Sequence, residues 1–390
     1  MRLWIAAMGV GLWVLSTAPS AGAATPVEAW GQLRVEGKHI VSTKTGQPVQ
    51  LTGMCLFWSQ WSGELWNADV VNWLANDWKC TVLRISMGIE AGGYLENQAK
   101  EKAKVITVVD ACIKRGLYVI IDWHDHHAEN HLAQSKAFFA EMAQRYGDTP
   151  NVMYELYNEP EMTSWETLKS YSNQVTAEIR KFDPDNIVFV PTMHWDRTIE
   201  VVQNSGRVND KNSVYVVHFY TAHDNQTHLD KIERAANAGV PLFTTEWGMS
   251  EGSGGGRIDP KNAQAFWAVL DKHKIGHTNW SIVHKDESSA AITTNAPSNP
   301  TAANPWTDAH LTPSGKLVRE KLRSYPPPGN AASKDPEAKS ETPVSSRDAT
   351  LRAYGRALVD HTNAAPSAGG STTAVPAPAA SATTNRSGKP

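Results

Sequence analysis

From position 49 to 281 the chain alternates short apolar runs with longer amphipathic stretches. The apolar runs cover 49–54, 81–85, 118–123, 151–157, 187–191, 214–219, 242–245 and 277–281, which is strand length at nearly even spacing. In the fourth run Val152, Tyr154 and Leu156 alternate with Met153 and Tyr157, so both faces are apolar, as in a sheet covered on both sides. Helices are predicted between them, at 69–79, 101–115, 132–146, 165–182 and 229–238. Gly116, Gly147 and Gly239 follow three of these, and Asp183-Pro184 follows a fourth. Asp259-Pro260 and Thr312-Pro313 each set a capping side chain before a first-turn proline, so two more helices start there. Eight strands alternating with helices predict an α/β fold, a (β/α)8 TIM barrel. A doubly wound sheet would want a glycine-rich phosphate turn, and no strand is followed by one.

The flanks read differently. Residues 31–35 and 39–41, split by Gly37, predict a short N-terminal hairpin that ends at Gly46-Gln-Pro48. Residues 1–24 read as a secretory signal: Arg2, an apolar run over 3–15, and a small-residue cleavage site at Ala21-Gly-Ala23. That run is too short for a comfortable membrane span, so the expectation is a secreted protein, extracellular or periplasmic, with no membrane partner. After Tyr325 the composition shifts to Ala, Ser, Thr and Pro, opening with Pro326-Pro-Pro328. Such a segment cannot bury enough apolar surface to fold, so 326–390 is expected to be a disordered tail, with a transient helix at most over 347–360. The organisation is therefore leader 1–24, catalytic domain 25–325 and tail 326–390. A cut after Ser324 is expected to leave stability unchanged.

Composition adds three points. Lys and Arg number 37 against 40 Asp and Glu, so there is no electrostatic case for nucleic acid or an anionic surface. The 15 tryptophans all precede residue 307, and their flat faces suit either a core or the apolar faces of sugar rings. Three cysteines are an odd number, which leaves both a Cys80–Cys112 bridge and buried free thiols open.

In a barrel the C-terminal strand ends converge on one mouth. Here those ends carry Arg84, His124, Asn158 with Glu159, His194-Trp195, His218 with Tyr220, Glu246, and Trp280. Pro160 cannot join a ladder and disfavours helix at Glu159, so the fourth strand stops at that carboxylate. The run 241–248 repeats the design with Glu246. Two strands each ending on a glutamate are the raw material of a double-carboxylate mechanism.

The strings Asp122-Trp-His124, Tyr154-Glu-Leu-Tyr-Asn-Glu-Pro160, His218-Phe-Tyr220 and Thr245-Glu-Trp-Gly248 resemble glycoside hydrolase family 5, in particular secreted bacterial endo-β-1,4-glucanases. The likeness runs from about residue 31 to 324 and includes Gly92-Gly-Tyr94, Asp183-Pro-Asp-Asn186 and Leu311-Thr-Pro-Ser-Gly315. It implies a retaining enzyme acting on a β-glucan polysaccharide as a monomer, without cofactor or metal. Glu159 is then the acid/base and Glu246 the nucleophile. Arg84, His124, Asn158, His218, Tyr220 and Trp280 match the family's other active-site positions. Asn158 is expected to hold the sugar 2-hydroxyl, Arg84 and Tyr220 to keep Glu246 ionised and aimed, His218 to border Glu159, and Trp280 to stack beneath a sugar. For double displacement the two carboxyls should lie about 5 Å apart. The string Ser281-Ile-Val-His-Lys285-Asp-Glu287 departs from relatives at His284; Lys285 and Glu287 are still expected to reach a substrate hydroxyl. The loop Phe57-Trp-Ser-Gln-Trp61 is read as a distal sugar platform, with Trp58 touching substrate, against the simpler reading of rim packing.

Three rival readings are weighed. His124-Asp-His126-His127, with Asp122 and His131 near, resembles the metal signature of amidohydrolases, but those enzymes need it on the first strand, and here it ends the third. A non-catalytic carbohydrate-binding barrel would keep the tryptophans without needing both carboxylates, Asn158 and Arg84. An endo-mannanase or mixed-linkage β-glucanase would use the same machinery, and sequence alone leaves that choice open.

Overall fold

The computed structural model describes residues 24–329. The expected leader, apart from Ala24, and the tail beyond Gly329 lie outside the described residues. A capped turn opens the described chain: Thr25 and Glu28 form a reciprocal capping box on helix Pro26–Trp30, which the periodicity had not suggested. The hairpin follows as β1 (Leu33–Glu36) and β2 (His39–Ser42), antiparallel, with Glu36 opposite His39.

The barrel strands are β3 (Thr52–Leu56), β4 (Val82–Gly88), β5 (Tyr118–His124), β6 (Val152–Glu155), β7 (Val188–Val190), β8 (Ser213–Val216), β9 (Phe219–Tyr220), β10 (Leu242–Gly248) and β11 (Gly276–Ile282). All their pairings are parallel, and β11 pairs with both β10 and β3, which closes the sheet into a ring. β8 pairs with the start of β10 and β9 with its end, at Trp247↔Phe219 and Gly248↔Tyr220. They are thus one barrel position interrupted at Val217-His218. The eight-strand expectation holds, with this break as an added detail.

Five helices match the expected segments to within a few residues at most ends: Ala68–Asn76, Tyr94–Arg115, Leu132–Tyr146, Trp165–Ile179 and Gln226–Asn237. Tyr94–Arg115 starts a full seven residues early, through a kink at Asn97 that interrupts its periodicity. Asp259 and Thr312 cap Pro260–His273 and Pro313–Arg323 through Asn262 N and Gly315 N. Gly116 and Gly239 are left-handed, as helix-ending glycines often are. Gly147 is not; its φ is −60°, and a Cβ there would meet the Phe182 carbonyl at 2.4 Å. Close packing, not left-handedness, selects glycine at that position.

Burial is layered along the barrel axis. Leu51, Val82, Tyr118, Ile120, Met153, Phe189, Val214 and Phe243 form an apolar plug inside the strands, and Leu33 and Ile40 of the hairpin pack into the same cluster. The hairpin therefore seals the N-terminal end. Further up, the interior turns polar, with Arg84, Asp122, Glu155 and Thr245 all fully buried. The three cysteines are buried free thiols, so Cys80 and Cys112 are not bridged.

Tyr325 belongs to the barrel, which corrects the expectation that the chain can be cut after Ser324. Trp247 Nε1 donates to His277 Nδ1 (3.1 Å), so the neutral ring carries its proton on Nε2, 2.9 Å from the Tyr325 hydroxyl. That hydroxyl in turn donates to Asp271 Oδ1 at 2.8 Å. Burial pushes His277 down to about 3, consistent with a neutral ring. Leaving a buried donor without an acceptor costs about 1–3 kcal/mol. We therefore predict that a chain ending at Ser324, and the full-length Tyr325→Phe variant, both melt several degrees below a chain ending at Gly329. Identical melting curves for all three would overturn this placement of Tyr325.

Candidate active site

Arg84 projects from the middle of β4 into the barrel and is wholly buried. Its Nε and Nη2 donate to the two oxygens of Glu155 (2.7 and 3.1 Å), at the end of β6. Its Nη1 donates to Glu246 Oε2 on β10 (2.8 Å), and Nη2 also reaches Asp122 Oδ2 on β5 at 3.0 Å. One guanidinium thus faces three carboxylates from three strands. Burial raises Asp122 to about 7 against the pull of Arg84, and burial likewise raises Glu155. Asp122 also holds His124 Nδ1 at 2.6 Å. His124 itself is held well below its ordinary value by burial and then by Arg84, so the ring is neutral.

Glu246 is held by two donors. Tyr220 Oη donates to Oε1 at 2.6 Å while Arg84 takes the other oxygen. Burial, then the charge of Glu246, drives the Tyr220 phenol well up, so it keeps the proton it donates. Arg84 Nη2 also donates to Asn158 Oδ1 (2.6 Å), which sets the amide orientation and leaves the Asn158 nitrogen as a donor for something else.

β6 stops at Glu155, not at Glu159 as expected, so Glu159 sits four residues past the strand, with φ of 51°, in the left-handed region that side chains rarely adopt. The cost is offset by a neighbouring loop. Glu159 N donates to Asp196 Oδ2 (2.9 Å), Thr192 N donates to Asp196 Oδ1 (2.6 Å), and Trp195 N donates to the Pro160 carbonyl (2.9 Å). That loop is itself strained: His194, Trp195 and Asp196 have φ of 53°, 56° and 55°. Backbone strain concentrated beside one carboxyl is a mark of a functional site. His218 Nδ1 lies 2.9 Å from Glu159 Oε1, and burial raises the Glu159 carboxyl. Ligand-type atoms of Glu159, His218 and Glu246 all fall within 4.8 Å of one another, so the two carboxyls approach closely.

The expected residues mostly meet here. Trp280, at the end of β11, stacks on His124 with centroids 5.3 Å apart and planes 7° from parallel. Trp58 stands edge-on to His124 at 4.1 Å and touches Trp61, which is exposed on the rim. Lys285 and Glu287 are paired with each other at 2.5 Å, and Lys285 also lies over the Phe57 ring. They border the Trp280 side of the mouth as a neutralised pair. His284 instead faces Glu64 at 3.4 Å. The histidine string does not gather around a point: His124 is held by Asp122, and His126 Nδ1 meets the Glu159 carbonyl at 3.1 Å. Among the described residues, the sets within metal reach are Glu90–Asp125–His131 and Glu159–His218–Glu246; the first takes Asp125 from the string and His131 beside it, and neither contains His124, His126 or His127.

Three buried partners went unrecognised in the sequence, Glu155, Asp196 and Thr245, and Asp122 figured there only as a candidate metal ligand. Asp122, Glu155 and Thr245 had one readable signal, a polar residue inside an otherwise apolar strand. Asp196 had none, because its role depends on a left-handed loop.

Residues 42–286 match the family model described as cellulase (glycosyl hydrolase family 5). Endoglucanase A of Evansella cellulosilytica is 40% identical over 291 residues, 72% of this chain and 58% of that protein. The chain thus spans little more than half of that relative's length. Endoglucanase Z of Dickeya dadantii is 38% identical over 314 residues, covering 78% of this chain and 70% of that protein. The catalytic domain of Thermobifida fusca endoglucanase Cel5A, solved in complex with cellotetraose, superimposes with a TM-score of 0.72 at 33% identity. It covers 77% of this chain and 100% of that one.

Removing Arg84 leaves three carboxylates buried without their cation, a loss of about 3–5 kcal/mol. Arg84→Met should therefore melt far below the parent. Tyr220→Phe removes one hydrogen bond to a charged oxygen and should cost less, about 1.5–3 kcal/mol. Equal melting temperatures for the two variants would show that the guanidinium does not hold the carboxylates together.

Proposed function

The chain belongs to glycosyl hydrolase family 5, and from that premise we propose that it hydrolyses internal β-1,4-glucosidic bonds of cellulose and related β-glucans with retention of configuration. The observation that carries the mechanism is that one carboxyl oxygen of Glu159 and one of Glu246 lie within 4.8 Å of each other. Inverting enzymes keep their carboxyls roughly 6.5–9.5 Å apart to seat a water between them. The spacing here suits direct attack.

In the first half-reaction Glu246 attacks the anomeric carbon while Glu159 gives its proton to the departing glycosidic oxygen. One C–O bond forms as another breaks, leaving a glycosyl-enzyme ester. In the second half Glu159 takes a proton from water, the water oxygen attacks the same carbon, and Glu246 leaves as carboxylate. The donors on Glu246 aim it, and the buried setting of Glu159 favours the protonated form that the first step needs. The free amide nitrogen of Asn158 is the donor for the 2-hydroxyl, a bond that strengthens in the transition state. Trp280 supplies the stacking face for the sugar before the scissile bond. Trp58 and Trp61 extend the same side as a distal platform, and Lys285 and Glu287 stand beside them to meet a sugar hydroxyl.

Two further readings follow. An insoluble polymer cannot enter a cell, which fits export by the leader read in 1–24. One chain carries every group the mechanism uses, so a monomer suffices. A panel of soluble cellulose derivative, barley-type β-glucan, mannan and xylan, with products sized, separates the glucanase from a mannanase.

The roles of the two glutamates separate on an aryl glycoside whose leaving group departs unprotonated. Glu159→Ala should form the glycosyl-enzyme on it and then stall, and added azide should restore turnover and give the β-azide. Glu246→Ala should form no intermediate, and azide attack should give the α product. If Glu246→Ala turns over the aryl glycoside without azide, or yields the β-azide, the nucleophile is misassigned.

A further inference from the structure

His218 touches Glu159 with one ring nitrogen, and the partner of its other nitrogen decides which of them carries the proton. Both oxygens of Glu155 accept guanidinium N–H groups from Arg84, the arrangement of an ionised carboxylate. Thr245 Oγ1 donates its single proton to Glu155 Oε1 at 2.7 Å. Only the acceptor side of that hydroxyl remains for His218 Nε2, which lies 2.8 Å away. Nε2 must therefore be the N–H. The His218 backbone is clamped as well: its N donates to the Asp196 carbonyl, and its carbonyl meets His228 Nε2. Burial brings the ring down to about 4, so it is neutral and Nδ1 is a bare lone pair. That lone pair faces Glu159 Oε1 at 2.9 Å.

We propose that Thr245, oriented by Glu155, is a positioning residue that locks His218 in its Nε2–H tautomer, so that the bare Nδ1 favours the protonated form of Glu159. A lone pair opposite a carboxyl is satisfied when the carboxyl carries a proton and repelled when it does not. The relay makes Glu159 a weaker acid at rest and a better base toward water once its proton has left. No proton passes through His218: it leaves Glu159 for the glycosidic oxygen and returns from water. This deepens the acid/base reading of Glu159 and rests on it.

Other charges face the pair without touching Nε2. Around Glu159 these are His126, Arg84, Arg197 and Glu161. Asp196 Oδ2 lies 3.9 Å from His218 Nδ1, and Glu246 and Glu155 act on the same ring from the β10 and β6 sides. All of these stay in place when Thr245 alone is changed.

Thr245→Val keeps the side-chain shape and removes the hydroxyl. His218 Nε2–H then loses its acceptor, and the proton moves to Nδ1, where it donates to the Glu159 carboxylate. A hydrogen bond to the charged form lowers that carboxyl, so the alkaline limb of kcat/KM on soluble cellulose derivative should move acidward by about one pH unit. Thr245→Ser should restore it. Nitrogen-15 spectra of the histidine-labelled full chain should show His218 as Nε2–H in the parent and Nδ1–H in Thr245→Val. An Nδ1–H signal in the parent, or an unmoved alkaline limb in a folded Thr245→Val, overturns the proposal. If Thr245→Val does not fold, the parent spectrum decides alone. Failure of the acid/base reading shows elsewhere, as full glucan activity in Glu159→Ala, and leaves the tautomer result standing.

Discussion

Everything at the barrel mouth depends on a cation that water cannot reach. Arg84 is buried at the level where the apolar plug ends, and an isolated charge there would be prohibitively costly. Its compensation is a set of carboxylates drawn from β5, β6 and β10. Arginine suits this position because its planar fork presents several donors in fixed directions at once. Each strand that supplies a partner is thereby held in register at its upper end, as the apolar plug holds the lower end.

The same cation sorts the carboxylates by role. Glu155 takes the bidentate face and becomes a structural anion. Asp122 is shared between the guanidinium and His124 and is raised toward neutrality by burial. Glu246 takes one N–H and one phenol, which leaves the carboxylate aimed from two sides. Glu159 makes no contact with Arg84 in this network and meets a neutral imidazole instead. The contrast between charged and neutral neighbours is what separates a nucleophile from an acid when both are glutamate.

Strain collects on the acid's side. Glu159 and three successive residues of the 194–196 loop are left-handed, and the Asp196 carboxylate ties the two segments together. The opposite side, around Trp280, Trp58 and Phe57, is instead an aromatic wall made by packing. One side of the mouth is positioned by hydrogen bonds to backbone and the other by ring contacts, which suits proton transfer on one and sugar stacking on the other.

Sequence by itself determined the elements, because strand and helix differ in hydrophobic period and the period survives in a linear read. It also placed Glu159 and Glu246 near the upper ends of their strands, although β6 itself stops at Glu155 and β10 runs on past Glu246 to Gly248. The family strings then implied the roles of both glutamates. Tertiary structure alone decided three things. It showed the break at Val217-His218, since two residues out of ladder leave the period-two pattern in phase. It paired Lys285 with Glu287 and kept Cys80 and Cys112 apart as thiols, because side-chain partners depend on loop paths that composition does not encode. And it joined Glu155, Thr245 and Asp196 to the site. These residues lie on different strands or on a left-handed turn, and their hydrogen bonds exist only once the ring has closed.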